Sequence, residues 1–405
     1  MTVPTRIEAD YWIETPIDPR TAAETMAGEQ SSGTFVAVPG ETPELKQRAA
    51  ARVEHIQLLD EASEPSLPVA RPIHPEGPWR RARVTLSWPL DNIGPSLPNL
   101  MAMVAGNLWE LRQLTGLRLL DLRLPAAFAA AYGGPKFGVA GTRRLAGVSD
   151  RPLIGTIIKP SIGLSPAKTA DLVATLCDAG VDFIKDDELQ SDGSYCPFDE
   201  RVRAIMRVIN CRADRTGKKV MFAFNLTGEI DQMRRRQDLV LAMGGTCVMA
   251  SIHSIGLVGM IELGRHAQLP IHAHRNGWGA LNRHPALGWE FTAWQKIWRL
   301  AGADHIHVNG IGNKFSETDE SVIASAKASL TPMFDDKPCV AMPVFSSGQS
   351  ARQAHQTYAA LGSTDLIFAA GGGILAHADG PAAGVAELRA AWDAAIAGKS
   401  ARALP

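Results

Sequence analysis

The sequence predicts an α/β protein in which an N-terminal α+β (ferredoxin-like) domain, residues 1–135, is followed by a (β/α)8 TIM barrel, residues 136–405. Three observations predict it. From residue 150 onward, eight short runs rich in Val, Ile and Phe recur at intervals of 23 to 38 residues. Segments of helical period lie between them, the pattern of parallel strands joined by helical crossovers. The runs end in polar or glycine residues, as expected where strands converge on the mouth of a closed barrel rather than form an open sheet.

The elements follow in order. "RIEADYWIET", "GTFVAVPG", "ARVEHIQLL" and "RARVTLSWPL" read as strands of the first domain, with helices over "PRTAAETMAGEQ" and "LPNLMAMVAGNLWELRQL". The proline-rich stretch 61–80 reads as a loop inside that domain. The barrel strands are expected at 153–160, 181–188, 219–226, 246–253, 269–275, 304–310, 339–347 and 365–373. Between the first two, Ser165 caps a helix, Pro166 takes its first position and Gly180 ends it. "WEFTAWQKIWRLAG" and "GVAELRAAWDAAIAG" are further helices.

Composition narrows the partners. The 41 basic and 42 acidic residues nearly cancel, so no electrostatic footprint for nucleic acid or an anionic membrane is present. Five widely spaced cysteines without a CxxC pair argue against a disulfide scaffold or structural zinc. No apolar run approaches the length of a membrane span, and the N-terminus lacks the pattern of a signal peptide. A cytoplasmic protein acting on a small molecule is the expectation.

The strand ends carry the chemistry. "VDFIKDDE" places Lys185 and Asp187 on one side of a strand, with Glu188 free to swing in as the strand ends. Carboxylate oxygens are hard donors that suit Mg²⁺. An ammonium cannot ligate a metal, so Lys185 is either a salt-bridge partner or a lysine converted by CO2 to an anionic carbamate. A lone KDDE is more often a solvated salt-bridge cluster. Here Lys159, Asn225, His272, His274, Arg275, His307 and Asn309 end neighbouring strands, and that convergence favours a site. "SSG" at 346–348 and "GGG" at 371–373 end the last two strands, where this fold cradles phosphate on backbone N–H groups.

Taken together, "GTIIKPSIGLSP", "AGVDFIKDDE", "HAHRNGWGA", "GADHIHVNGIGNKF", "PVFSSGQ" and "FAAGGGILAHADGPAAG" resemble the RuBisCO large-subunit superfamily, and "GEQSSGTFVAVPGET" and "AGNLWELRQLTGLRLLDLRLPAAF" extend the resemblance over nearly the whole chain. The resemblance implies a homodimer or larger assembly whose sites are shared between subunits. It implies that Lys185, carbamylated in the carboxylases, Asp187 and Glu188 hold Mg²⁺. Lys159, His274, His307 and the mobile-loop Lys314 match catalytic positions. Arg275, Ser346, Gly348, Gly371 and Gly372 match substrate and phosphate contacts, and Glu29, Thr34 and Asn107 match groups lent by the neighbouring subunit.

The departures are as informative. Ser161 stands where a second lysine is expected and Phe35 where tryptophan is. "VNG" at 308–310 replaces an "SGT" type of sequence, Asn313 replaces a loop glycine, and Ser347 turns "SGG" into "SSG". The chain also stops soon after its last barrel helix. These changes imply a non-carboxylating RuBisCO-like protein acting on a phosphorylated keto sugar or keto sugar acid with one phosphate. A Mg²⁺-stabilised enediolate would arise there by deprotonation or by loss of CO2. The style of the N-terminus leans to 3-oxo-isoapionate 4-phosphate decarboxylation in apiose catabolism. The alternatives are isomerisation of 5-methylthioribulose 1-phosphate, a methionine-salvage enolase, and an inactive binding barrel.

Overall fold

The protein, described from a computed structural model, is defined over residues 5–33, 39–68, 73 and 77–398. Its strands are β1 (Arg6–Thr15), β2 (Arg52–Ala62), β3 (Trp79–Pro89), β4 (Gly116–Arg123), β5 (Leu153–Ile157), β6 (Phe183–Lys185), β7 (Met221–Asn225), β8 (Cys247–Ser251), β9 (Ile271–His274), β10 (Leu287–Trp289), β11 (His305–His307), β12 (Met342–Phe345) and β13 (Ile367–Ala369). The chain divides into two compact units, one formed by 1–132 with 277–297 and the other by 133–276 with 298–405.

The first unit is built on a mixed sheet in the order β10-β4-β1-β3-β2. Alternation along β1 buries Ile7, Ala9, Tyr11 and Ile13, the period a half-buried strand requires. The helix expected over 97–114 stops at Val104, because Gly106 takes a left-handed φ of 41° and a short 3-10 turn, Leu108–Glu110, follows. Two strands carried no reading from the sequence. One is β4, an interior strand between β10 and β1; the other is β10, three residues long and parallel to β4. At Gly288 of β10 a Cβ would lie 1.7 Å from the Leu281 carbonyl oxygen, so only glycine fits. The expected strand "GTFVAVPG" falls largely at 34–38, outside the described residues.

In the second unit eight parallel strands close in the order β5-β6-β7-β8-β9-β11-β12-β13 and back to β5. Leu153, Phe183, Met221, Ala223, Cys247, Met249, Met342, Val344, Ile367 and Ala369 form a continuous buried core. That filling makes the barrel a packed scaffold rather than a pore. Each strand lies inside its expected window but is shorter, since the polar tails leave the ladder. The helix Pro166–Ala179 has the expected ends: the Ser165 side chain accepts from the Lys168 amide, and Gly180 closes it at φ 86°. No helix among the described residues is long and apolar enough to cross a membrane.

The strand starts are tied down by buried carboxylates. Asp304, just ahead of β11, accepts from the amides of Phe137, Gly138 and Ile271, while burial pushes its carboxyl up to about 6. Asp182, just ahead of β6, is held low instead: burial alone would raise it, but Arg151 and Lys218 outweigh that.

Candidate active site

β6 supplies the centre of the site, and its alternation sorts the charges. Lys185 pairs in register with Ile157 and Ala223 and is 1 % exposed. Its Nζ donates to the Asp186 carbonyl at 2.9 Å and lies 3.3 Å from Glu188 Oε2. Asp186 accepts from Arg201 at 3.2 Å and from the Asn225 amide at 2.9 Å, and so belongs to the packing. Asp187 turns the other way: Lys159 Nζ donates to its Oδ2 at 2.5 Å and to Ser161 Oγ at 2.8 Å. Asn225 Nδ2 donates to the carbonyls of Asp187 and Glu188 and pins the turn that carries them.

The imidazoles of β9 and β11 close one side. His274 Nε2 lies 3.4 Å from Glu188 Oε2, and its Nδ1 is 3.2 Å from Asn276 Oδ1. His307 Nε2 faces His272 Nε2 at 2.8 Å, and its Nδ1 faces Ser346 Oγ at 3.1 Å. Burial pushes both His272 and His307 well down, so both are neutral at pH 7. Only one Nε2 of the pair then carries a proton, which fixes complementary tautomers.

Electrostatics separate the groups by role. Burial lowers the proton affinity of Lys185 against the pull of Glu188 and Asp187. Burial acts to raise Glu188, but Lys185 and then His274 outweigh it and hold the carboxyl at about 2. Burial, followed by Lys185, pushes His274 down to about 4. At neutral pH the cluster therefore presents the Glu188 carboxylate, a neutral imidazole and a buried amine that gives up its proton more readily than a free lysine.

Other expected residues lie elsewhere. Lys314 Nζ sits 5.3 Å from the Phe315 ring centroid and makes no hydrogen bond or ion pair to the acidic cluster among the described residues. Its amide donates to the Ser347 carbonyl at 3.3 Å. Arg275 is buried, and its Nη2 donates to Glu317 Oε2 at 2.5 Å. A Cβ on Gly348 or Gly372 would meet nothing within 4 Å, and one on Gly371 only Ile157 at 3.7 Å, so the backbone at these turns is open to a ligand. In the first unit Asn107 Nδ2 donates to Glu29 Oε1 at 3.0 Å, Asn107 being exposed and Glu29 half-buried. Thr34 lies outside the described residues. Sequence reasoning missed Glu317, Arg201 and Asp182. Arg201 and Asp182 look like ordinary surface charges in the sequence, and Glu317 reads as one more acid before a helix start.

A closed parallel barrel that gathers lysines, carboxylates and imidazoles at the carboxyl ends of its strands is of the class whose chemistry lies at that mouth. Within that class the chain belongs to the RuBisCO large-chain family: residues 9–128 match the ribulose bisphosphate carboxylase large chain N-terminal domain and residues 138–404 its catalytic domain. It is 61 % identical over 395 residues to a 3-oxo-isoapionate-4-phosphate transcarboxylase/hydrolase of Xanthobacter autotrophicus, covering 98 % of this chain and 95 % of that one. It is 49 % identical over 393 residues to a 3-oxo-isoapionate-4-phosphate decarboxylase of Rhizobium rhizogenes, covering 96 % and 93 %. The crystal structure of a rubisco-like protein from Burkholderia fungorum superposes with a TM-score of 0.91 at 51 % identity, covering 98 % and 95 %.

Proposed function

We propose that this chain is a Mg²⁺-dependent enzyme that breaks a carbon–carbon bond of 3-oxo-isoapionate 4-phosphate, a β-keto acid, through an enolate. The observation that carries the reading is the convergence of Lys159, Lys185, Asp187, Glu188 and His274 at the barrel mouth. The donor set fits the metal: Asp187 and Glu188 offer hard oxygens, and the buried Lys185 is biased toward the neutral amine, the form that adds CO2 to become a third oxygen donor. Mg²⁺ bound by these three would supply Lewis acidity toward the substrate oxygens.

The chain's own groups do the rest. Lys159 is 47 % exposed at its side chain and held by Asp187 and Ser161, which suits it to hold or move a proton at the substrate carbon. Neutral His274 and His307 can hydrogen-bond substrate oxygens without adding charge. The open backbone at Gly348, Gly371 and Gly372, with Ser346, suits the single phosphate, and Lys314 would arrive with its loop and exclude water.

The two named activities share a substrate and divide on the fate of its carboxyl carbon. The higher identity favours transcarboxylation with hydrolysis; decarboxylation, named for relatives at 49 % and 48 %, is the second reading. Incubation with carboxyl-labelled 3-oxo-isoapionate 4-phosphate and Mg²⁺ separates them. Label kept in non-volatile products, with solvent oxygen incorporated, indicates the first, and label released as CO2 indicates the second. Unchanged substrate refutes the reading.

The working unit in this reading is a homodimer, with Glu29 and Asn107 of one subunit completing the partner's site. Asn107→Ala and Lys185→Met, each inactive alone, are expected to recover about a quarter of wild-type activity when co-folded, since one site in four then carries neither change. No recovery would mean that each subunit works alone.

A further inference from the structure

Arg275, Asn309, Asn313 and Ser347 stand out in the sequence for separate reasons, the first as a phosphate contact and the others as departures from the family's motifs. In the barrel they join one network around Glu317, whose carboxylate Arg275 and Asn309 reach directly. Glu317 Oε2 accepts from Arg275 Nη2 at 2.5 Å and from Asn309 Nδ2 at 2.6 Å. Glu317 Oε1 accepts from Ser321 Oγ at 2.9 Å. Asn313 Nδ2 donates to the Glu317 carbonyl at 3.1 Å, and Ser347 Oγ donates to Asn309 Oδ1 at 3.1 Å. The Arg275 and Glu317 side chains are each 5 % exposed.

Two of the linking residues hold left-handed backbone, Asn309 at φ 64° and Ser347 at φ 69°. Non-glycine residues persist there only where their surroundings over-determine them. The three departures are therefore parts of one device. It is built around an acid that the sequence offers no reason to notice.

We infer that Glu317 is a specificity-determining residue: its carboxylate takes the anion position at Arg275 that a second substrate phosphate would need, and so restricts the site to monophosphates. A guanidinium already paired with a buried carboxylate has lost most of its pull on a dianion. An incoming phosphate would also face Glu317 itself, like charge against like in a site with little water. Repulsion placed against one ligand discriminates without any added attraction for the other. The inference rests on the resemblance that sets Arg275 among the phosphate contacts and on the monophosphate substrate of the proposed function, to which it adds the residue that excludes a second phosphate.

The test is equilibrium binding by calorimetry, with Mg²⁺ present, of ribulose 1,5-bisphosphate, ribulose 5-phosphate and ribulose 1-phosphate to wild type, Glu317→Gln and Glu317→Asp. Wild type is expected to bind the bisphosphate no more tightly than the better monophosphate. Glu317→Gln should move that ratio toward the bisphosphate by about tenfold or more, whereas Glu317→Asp, which keeps the charge, should stay within about threefold of wild type. A merely structural role would weaken all three sugars together. A wild-type preference for the bisphosphate overturns the inference, even where the glutamine variant fails to fold. So does a folded Glu317→Gln in which the bisphosphate gains nothing, whether the ratio is unmoved or none of the three sugars binds. Absence of turnover on 3-oxo-isoapionate 4-phosphate would refute the proposed reaction and leave these ratios readable.

Discussion

Replacing Lys185 by methionine is expected to abolish turnover while leaving the thermal midpoint unchanged or raising it. The ammonium is 1 % exposed, and its proton affinity is lowered by burial despite Glu188 and Asp187. Taking such a charge out of water costs several kcal/mol, and exchanging buried ionic groups for apolar ones of similar volume is often neutral or stabilising by about 1–4 kcal/mol. Asp187 keeps Lys159 as its partner, and Glu188, with a 31 % exposed side chain, can draw on water. Activity has no such substitute. If Lys185 is one of the three groups proposed to hold Mg²⁺, its loss should remove several kcal/mol of transition-state stabilisation, about 10³-fold or more in rate.

The pH dependence has a definite sign. A lysine whose proton affinity falls on folding penalises the native state while it is protonated in both states, and the penalty eases as pH rises toward the ordinary lysine value of 10.5. Any stability advantage of the variant over wild type should therefore shrink as pH rises through the lowered folded pKa toward 10.5. Midpoints by calorimetry and a turnover assay decide the matter. A variant that unfolds several degrees lower, or one that keeps a tenth of its activity, would show that the cluster serves packing.

The opposite end of the same strand should behave in the opposite way. Asp182 is fully buried, and its carboxylate accepts from Arg151 at 2.6 and 3.2 Å, from Lys218 at 2.7 Å and from the Ile154 amide at 2.9 Å. Asp182→Asn is expected to cost about 3 kcal/mol, the low end for breaking a buried pair, because both cations retain some access to water. Burial pushes this carboxyl up, but Arg151 and Lys218 bring it below its ordinary 3.8. Its contribution is thus complete above that value and disappears as pH falls through the lowered folded pKa. Denaturant titrations should find a gap between wild type and variant at pH 7 that closes in strong acid. The change leaves the acidic cluster untouched, so turnover per folded molecule should persist. Equal stability at pH 7 would discard the role assigned to Asp182.

Much of the fold is legible because barrel strands announce themselves locally. Eight apolar runs of similar spacing, each closed by a polar tail, need no partner to be recognised. β10 escaped notice for the converse reason. Three residues carry no periodicity, and "LGW" becomes a strand only because β4, about 170 residues earlier in the chain, is there to pair with it. β4 itself, "GLRLLDLR", does not alternate cleanly: its first four residues are all buried in the middle of the sheet. The site divides similarly. "FIKDDE" shows Lys185 and Asp187 by alternation and Glu188 by its place at the strand end, yet nothing in the string shows that Asp186 turns to Arg201 or that Lys159 reaches Asp187.

The sequence by itself determined the eight-fold repeat, the polar strand ends and the family to which the chain belongs, because period and motif are properties of neighbours along the chain. Only the tertiary structure decided which charges answer one another. It seated Arg275 against Glu317 and drew Asn309, Asn313 and Ser347 into one network. The physical reason is that ion pairing and desolvation act through space, between residues such as Arg275 and Glu317 that a closed barrel brings to 2.5 Å although 42 positions separate them in sequence.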